Sequence, residues 1–159
     1  MKSLTTLLLL ISTFSHSWAQ ETEQNKKLGI EFEYFSNWVL TEKPDGYLLG
    51  SEKIEGFIII RVESYKSLKA MKSSMKEGIK KEDGTMLTLA SELRPYGENA
   101  LAGMYEGVVD EKKVRGFLIG KLEPKSKKSV FAIVVAPEER FNQSHMDAVK
   151  IIGRTLKFL

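Results

Sequence analysis

Phe57-Ile58-Ile59-Ile60-Arg61-Val62 is followed after four residues by Ser67-Leu68-Lys69-Ala70-Met71-Lys72-Ser73-Ser74-Met75-Lys76-Glu77-Gly78-Ile79-Lys80. Across this junction the hydrophobic period changes. The first stretch is a short, almost continuous apolar run rich in β-branched residues, which predicts a strand covered on both faces. In the second, Leu68, Met71, Met75 and Ile79 recur every three or four residues, which predicts an amphipathic helix from Ser67 to Lys80, with Ser67 as its N-cap. A buried strand running into a one-sided helix is the signature of a sheet with a helix laid against it.

The pattern on the N-terminal side is β. Leu28, Ile30, Phe32 and Tyr34 alternate with Glu31 and Glu33, which gives a half-buried strand. Trp38-Val39-Leu40 predicts a second, and Tyr47–Gly50 its hairpin partner across Pro44-Asp45-Gly46, where Pro presets φ. Trp38 is expected in the core of that hairpin. On the C-terminal side a second β block follows: Thr85–Leu93, Leu101–Val109, Val114–Leu122 and Ser129–Ala136. The last is the most apolar and is expected at the centre of the sheet. Met146, Val149, Ile152 and Leu156 predict a closing helix. It starts either near Pro137 or at a Ser144–Asp147 capping pair, and Gly153 is expected to stop it. Thr155–Phe158 is expected to add a short last strand. Strands, helix, strands, helix is an α+β order with a mainly antiparallel sheet flanked by helices.

The first residues read differently. Lys2 is the only charge before Glu21, Leu4–Phe14 is apolar, and Ser17 and Ala19 place small residues before a cut after Ala19. This is the pattern of a cleavable signal peptide, too short to span a bilayer. Residues 1–19 are therefore expected to be removed, 20–27 to be a flexible lead-in, and 28–159 to form a single domain in the periplasm or outside the cell. The chain has no Cys, so there is no acceptor for a lipoprotein anchor, no disulfide and no Cys-based metal site.

Phe32-Glu33-Tyr34-Phe35-Ser36-Asn37-Trp38 resembles the opening of PsbP-like domains, with Phe35 where Pro is usual and Asn37 where Gly is common. The order of the later elements resembles that superfamily too, down to a short end at Arg154–Phe158. The resemblance to PsbP-like and DcrB-like domains implies an α/β/α sandwich around an antiparallel sheet. The superfamily includes the photosystem II extrinsic protein, a Ran-binding import factor, DcrB-type envelope proteins and type VI effector chaperones. It implies action by binding a protein, with no shared catalytic residues.

The residues agree with that implication. No Gly-x-Ser-x-Gly elbow and no phosphate-binding loop is present, and one His, His145, remains after leader removal. It is expected as a partly exposed helix residue. The full chain carries 24 Lys+Arg against 21 Asp+Glu, too balanced for a nucleic-acid binder. No cofactor and no metal is expected. Glu31 and Glu33, on one strand face, are the kind of pair a carboxylate enzyme would need, and a solvated edge explains them equally. Lys69, Lys72, Lys76 and Lys80 are expected on one flank of the first helix, extended by Lys66 and Lys81, either as a solvated face or as a docking surface for an anionic partner. The narrow stripe without aromatics argues against stable membrane insertion. Gly103 and Gly107 on one strand, and Gly116 and Gly120 on the next, mark either curvature beneath a helix or a shallow groove. The sequence therefore expects a non-catalytic binding or accessory protein that acts through a protein partner. The alternative is a small-molecule or lipid carrier with a pocket between sheet and helix.

Overall fold

The computed structural model describes residues 18–159. The expected leader cut lies at the edge of this range, and the apolar run Leu4–Phe14 lies outside it.

The chain opens with β1 (Gln20–Asn25), β2 (Ile30–Phe35), β3 (Val39–Lys43), β4 (Gly46–Gly50) and β5 (Phe57–Ser64). Helix α1 (Leu68–Glu77) follows, then β6 (Ile79–Lys80), β7 (Met86–Leu89), β8 (Arg94–Pro95), β9 (Ala100–Val109), β10 (Lys112–Glu123) and β11 (Lys128–Pro137). The chain ends with α2 (Gln143–Thr155) and β12 (Lys157–Phe158). The main sheet has nine strands in the order β3-β4-β5-β11-β10-β9-β7-β6, with β8 paired to β9 off this path. A three-stranded sheet runs β1-β2-β12. Every pairing is antiparallel. The fold is α+β, as expected, and β11 is central.

The stretch expected to be a flexible lead-in is instead strand β1 over Gln20–Asn25, paired with β2 from Gln20↔Phe35 to Asn25↔Ile30. Its side chains are polar and mostly exposed, so it shows no period-two hydrophobic signal. Backbone pairing to an edge holds it, and Tyr34 and Tyr47 add side-chain bonds to Glu21 (2.7 Å) and Glu23 (2.9 Å).

The main sheet has two differently covered faces. One carries Ile58, Ile60, Val130, Ala132, Val134, Phe117 and Ile119 under α2 and β2, together with Trp38, Tyr47 and Leu49. Trp38 is buried, as expected. Each fully buried aliphatic side chain there contributes roughly 1.5–3 kcal/mol of transfer free energy. Gly153 does not stop α2, which runs on to Thr155. The missing side chain lets the helix settle on Ile119 and Tyr96. The C-terminal end is fixed to the small sheet by Thr155, whose hydroxyl donates to the Ile151 carbonyl (2.7 Å) and accepts the Glu33 N–H (2.8 Å).

Among the described residues, α1 is the one helix that packs on the second face. Met71 and Met75 are its two fully buried residues, and they pack in a cluster with Leu87, Leu101, Tyr105, Leu118 and Leu122. Ser67 is its N-cap, accepting the Ala70 N–H at 3.1 Å. The helix is shorter than expected. Gly78 leaves it at φ +74°, a left-handed value that favours glycine, and Ile79–Lys80 then pairs with β7.

Candidate binding site

Strand register places the second face in rows. Thr41, Leu48, Ile59, Ile133, Leu118 and Gly103 are successive cross-strand partners from β3 to β9. Val39, Gly50, Phe57, Val135, Gly116 and Tyr105 form the next row. Met71 and Met75 of α1 pack at the β9–β10 end of these rows. Toward β3 and β4 nothing in the described chain covers them, so Val39 is 64% and Leu48 37% exposed, while Phe57 and Ile59 are half-buried. The result is an open groove of about 880 Å³ between α1, the sheet face and the two sheet edges, lined by β3 residues on one side and by Lys80 and Lys81 on the other.

The expectation that β5 is covered on both faces is therefore corrected. Ile58 and Ile60 are buried, but Phe57 and Ile59 face the groove. An apolar run marks both faces as hydrophobic but cannot say whether the second one is covered by the same chain. The strand glycines do not form this groove. Gly103 makes room for Leu89 and Leu93, Gly120 for Phe131 and Met75, and Gly107 for the Met86 carbonyl. Each faces a larger residue across the ladder (Gly103 Leu118, Gly107 Val114, Gly116 Tyr105, Gly120 Leu101), so small and large side chains interlock beneath α1.

The groove's polar groups lie at its ends. Tyr65 stacks edge-on against Phe131 with ring centroids 5.6 Å apart. Its hydroxyl donates to Glu63 (2.9 Å) and lies 2.8 Å from the Ser74 hydroxyl. The Tyr105 hydroxyl donates to the Met75 carbonyl at 2.6 Å, which ties α1 to β9. Burial pushes the Tyr105 phenol up to about 12. Arg61 pairs with Asp45 (3.2 Å) and Glu63 (3.8 Å).

Of the four lysines expected on one helical flank, Lys69, Lys72 and Lys76 are exposed on α1. Lys80 is not on the helix. It lies in β6, where with Lys81 it borders the groove. Residues 66–81 contain six lysines and one acid, Glu77, and none of the six forms an ion pair among the described residues.

The remaining sequence candidates lie elsewhere. Glu31 is half-buried in β2 and pairs with Lys157 at 3.2 Å, and neither it nor Glu33 borders the groove. His145 was expected to be partly exposed but is buried, 1% exposed. Its Nδ1 accepts the Asn142 N–H (3.1 Å) and its Nε2 lies 2.7 Å from the Glu55 carbonyl. That pattern fixes a neutral ring with its proton on Nε2. With Asn142 accepting the Ser144 N–H (2.9 Å), it caps α2 in place of the expected Ser144–Asp147 pair. A second depression of about 810 Å³ lies beside β10 and the chain's end. The ammonium groups of two lysines lining it are spent on carbonyls, Lys121 on Leu156 (2.9 Å) and Lys128 on Leu28 (2.7 Å). Among the described residues no helix is long and apolar enough to cross a membrane, and no cluster of three or more His, Asp or Glu is placed to hold a metal.

No protein-family profile matches the chain, and no curated protein matches it significantly in sequence. Solved structures do. Cyanobacterial PsbP (CyanoP) from Synechocystis sp. PCC 6803 superposes with a TM-score of 0.62 at 9% identity, over 92% of this chain and 96% of that one. The Saccharomyces cerevisiae Ran-binding protein Mog1p gives 0.56 at 9% identity, over 89% and 96%. A protein from Bacteroides thetaiotaomicron VPI-5482 gives 0.55 at 12% identity, over 82% of this chain and 45% of that longer one. The resemblance carried by Phe32–Trp38 thus holds across nearly the whole described chain as likeness of architecture, and the chain has a PsbP-like fold.

Proposed function

We propose that this is an exported, non-catalytic binding protein that acts by contact with a partner protein, through the α1–β6 bank and the groove beside it. The observation that carries the reading is an apolar groove that the described residues leave open, bordered by a bank of lysines that form no ion pair among those residues. An exposed apolar face rimmed by polar residues is the kind of surface through which soluble proteins make contacts. Unpaired lysines add attraction for an anionic surface. The Ran-binding activity in Mog1p's name is a protein-contact function on the same architecture. The leader-like residues 1–19 supply the reading of export, to the periplasm or outside the cell. The only described histidine is committed to a helix cap, which takes it out of any histidine-activated nucleophile arrangement. The α/β/α sandwich expected from the resemblance is supported by α2 packing on one face of the main sheet and α1 on part of the other.

The test is photocrosslinking in intact source cells from positions 72 and 80, with position 147, exposed on α2 over the opposite face of the main sheet, as control. One partner captured from both bank positions and not from the control supports the reading. The mass of the captured protein reports whether the chain begins at Gln20. Equal labelling from all three positions would sink the proposed surface.

The size of the groove favours a second reading. About 880 Å³ falls within the roughly 300–1,000 Å³ of small-molecule pockets, which supports a carrier of a small apolar molecule held between sheet and helix.

A further inference from the structure

We infer that the N-terminal cap of α2 is an acid-released latch: a proton added to His145 parts its ring from the Asn142 N–H and loosens the first turn of α2 together with the connection from Pro137 to Asn142.

Hydrogen-bond polarity sets the direction. Nδ1 accepts the Asn142 N–H at 3.1 Å, and Nε2 donates to the Glu55 carbonyl at 2.7 Å. An imidazolium carries an N–H on both nitrogens. It keeps the bond to Glu55, but at Nδ1 it sets one N–H against another. The contact that closes the cap becomes a repulsion, and no other acceptor takes the Asn142 N–H among the described residues. Two further effects act in the same sense. The ring is buried, so a charge placed on it loses its water. It also sits in the first turn of α2, where the helix dipole is positive and opposes a cation.

No neighbouring acid offsets this. The ring meets its own helix, the connection before it and the β4–β5 connection. On α2, Asp147 accepts from the Gln143 side chain at 2.7 Å. In the connection before α2, Glu138 faces Arg115 at 3.6 Å, Arg140 faces Glu55 at 3.8 Å, and Glu139 is exposed. In the β4–β5 connection, Lys53 lies over the Trp18 ring and Glu52 is exposed. The core residues that α2 packs on, such as Ile58 and Val134, carry no charge. None of these carboxylates bonds either ring nitrogen.

The cap holds an apolar side chain in place. Phe141 stacks on the ring at a centroid distance of 5.4 Å and is half-buried against the main core. Without the cap, the connection is free to lift Phe141 away, so an apolar surface opens in acid that is closed at neutral pH.

Hydrogen exchange on the full chain, read residue by residue by NMR near pH 7.5 and pH 5 and corrected for the intrinsic rate at each, tests this. Amides of residues 142–146 should lose protection about tenfold or more on acidification, while those of β10 and β11 hold. His145→Gln keeps an acceptor for the Asn142 N–H, as Gln does in a capping box, and takes no proton. Its protection should be the same at both pH values. Should circular dichroism show that this variant does not fold, the wild-type ring nitrogen shifts decide, because they and the Asn142 amide shift should move with one midpoint. The latch is overturned by unchanged protection in the wild type, by an equal loss in His145→Gln, or by a loss spread uniformly over the sheet. A ring that takes up its proton while the Asn142 amide stays fixed overturns it too.

Discussion

Both ring nitrogens of His145 are committed, one to the first turn of its own helix and one to the Glu55 carbonyl in the β4–β5 connection. Phe141 stacks on the ring at a centroid distance of 5.4 Å. His145→Ala therefore removes half of a reciprocal cap and leaves a carbonyl without its donor. The expected loss is about 2–3 kcal/mol, read as a lower urea midpoint with an unchanged slope. An exposed substitution on the same helix, Asp147→Ala, should cost under about 1 kcal/mol. Asn142-Gln143-Ser144 reads in the sequence as a glycosylation sequon, and Ser144 with Asp147 as a cap. The actual cap uses Asn142 and a histidine three residues on. Histidine at that position is outside the usual Glu or Gln pattern, and its burial depends on a loop 90 residues away, so the sequence contains no local sign of it.

At the scale of elements, the glycines of β9 and β10 were legible as a feature but not in their role. Gly107 lies opposite Leu87, and a Cβ added there would collide with the Met86 carbonyl. Gly107→Ala should push β7 away from β9 and cost about 1–3 kcal/mol. Because β6 is held to the sheet through β7 alone, amide exchange should accelerate in β6 and β7 and change little in β10 and β11. Uniform acceleration across the sheet would contradict this account. Strand β5 shows the complementary case. Its apolar character and its place beside the most apolar strand were readable. Which of its faces is closed was not, because that depends on where the ten residues of α1 come to rest on a much wider sheet. Strand β1 was missed for another reason: it is held by main-chain bonds and by acids that accept from Tyr34 and Tyr47, and polar side chains carry no periodic signal.

The whole molecule should respond to alkali through its tyrosines. Burial raises Tyr34, Tyr47 and Tyr105 from 10.0 to about 12. Above pH 10 the unfolded chain has released protons that the folded one still holds. Stability contributed by these groups is therefore complete below pH 10 and is lost as pH rises through about 12. Urea unfolding between pH 9 and 12 should show this decline. Tyr105→Phe should be less stable at neutral pH, having lost the bond to the Met75 carbonyl, and should decline less steeply with pH. An identical slope in the two proteins would show that Tyr105 does not contribute.

The sequence by itself determined the α+β class, the two helices and most of the strands, the burial of Trp38 and a resemblance that the architecture bears out. It could do so because hydrophobic period, turn chemistry and capping residues act over a few neighbours. Only the tertiary structure decided that Lys80 leaves the helix for a sheet edge, that His145 is a buried cap, and that an apolar strand face stays open as a groove. Those outcomes depend on which distant segments come to lie against each residue. A side chain's hydrophobicity says that it seeks cover, and the packing of the whole chain decides whether cover is supplied.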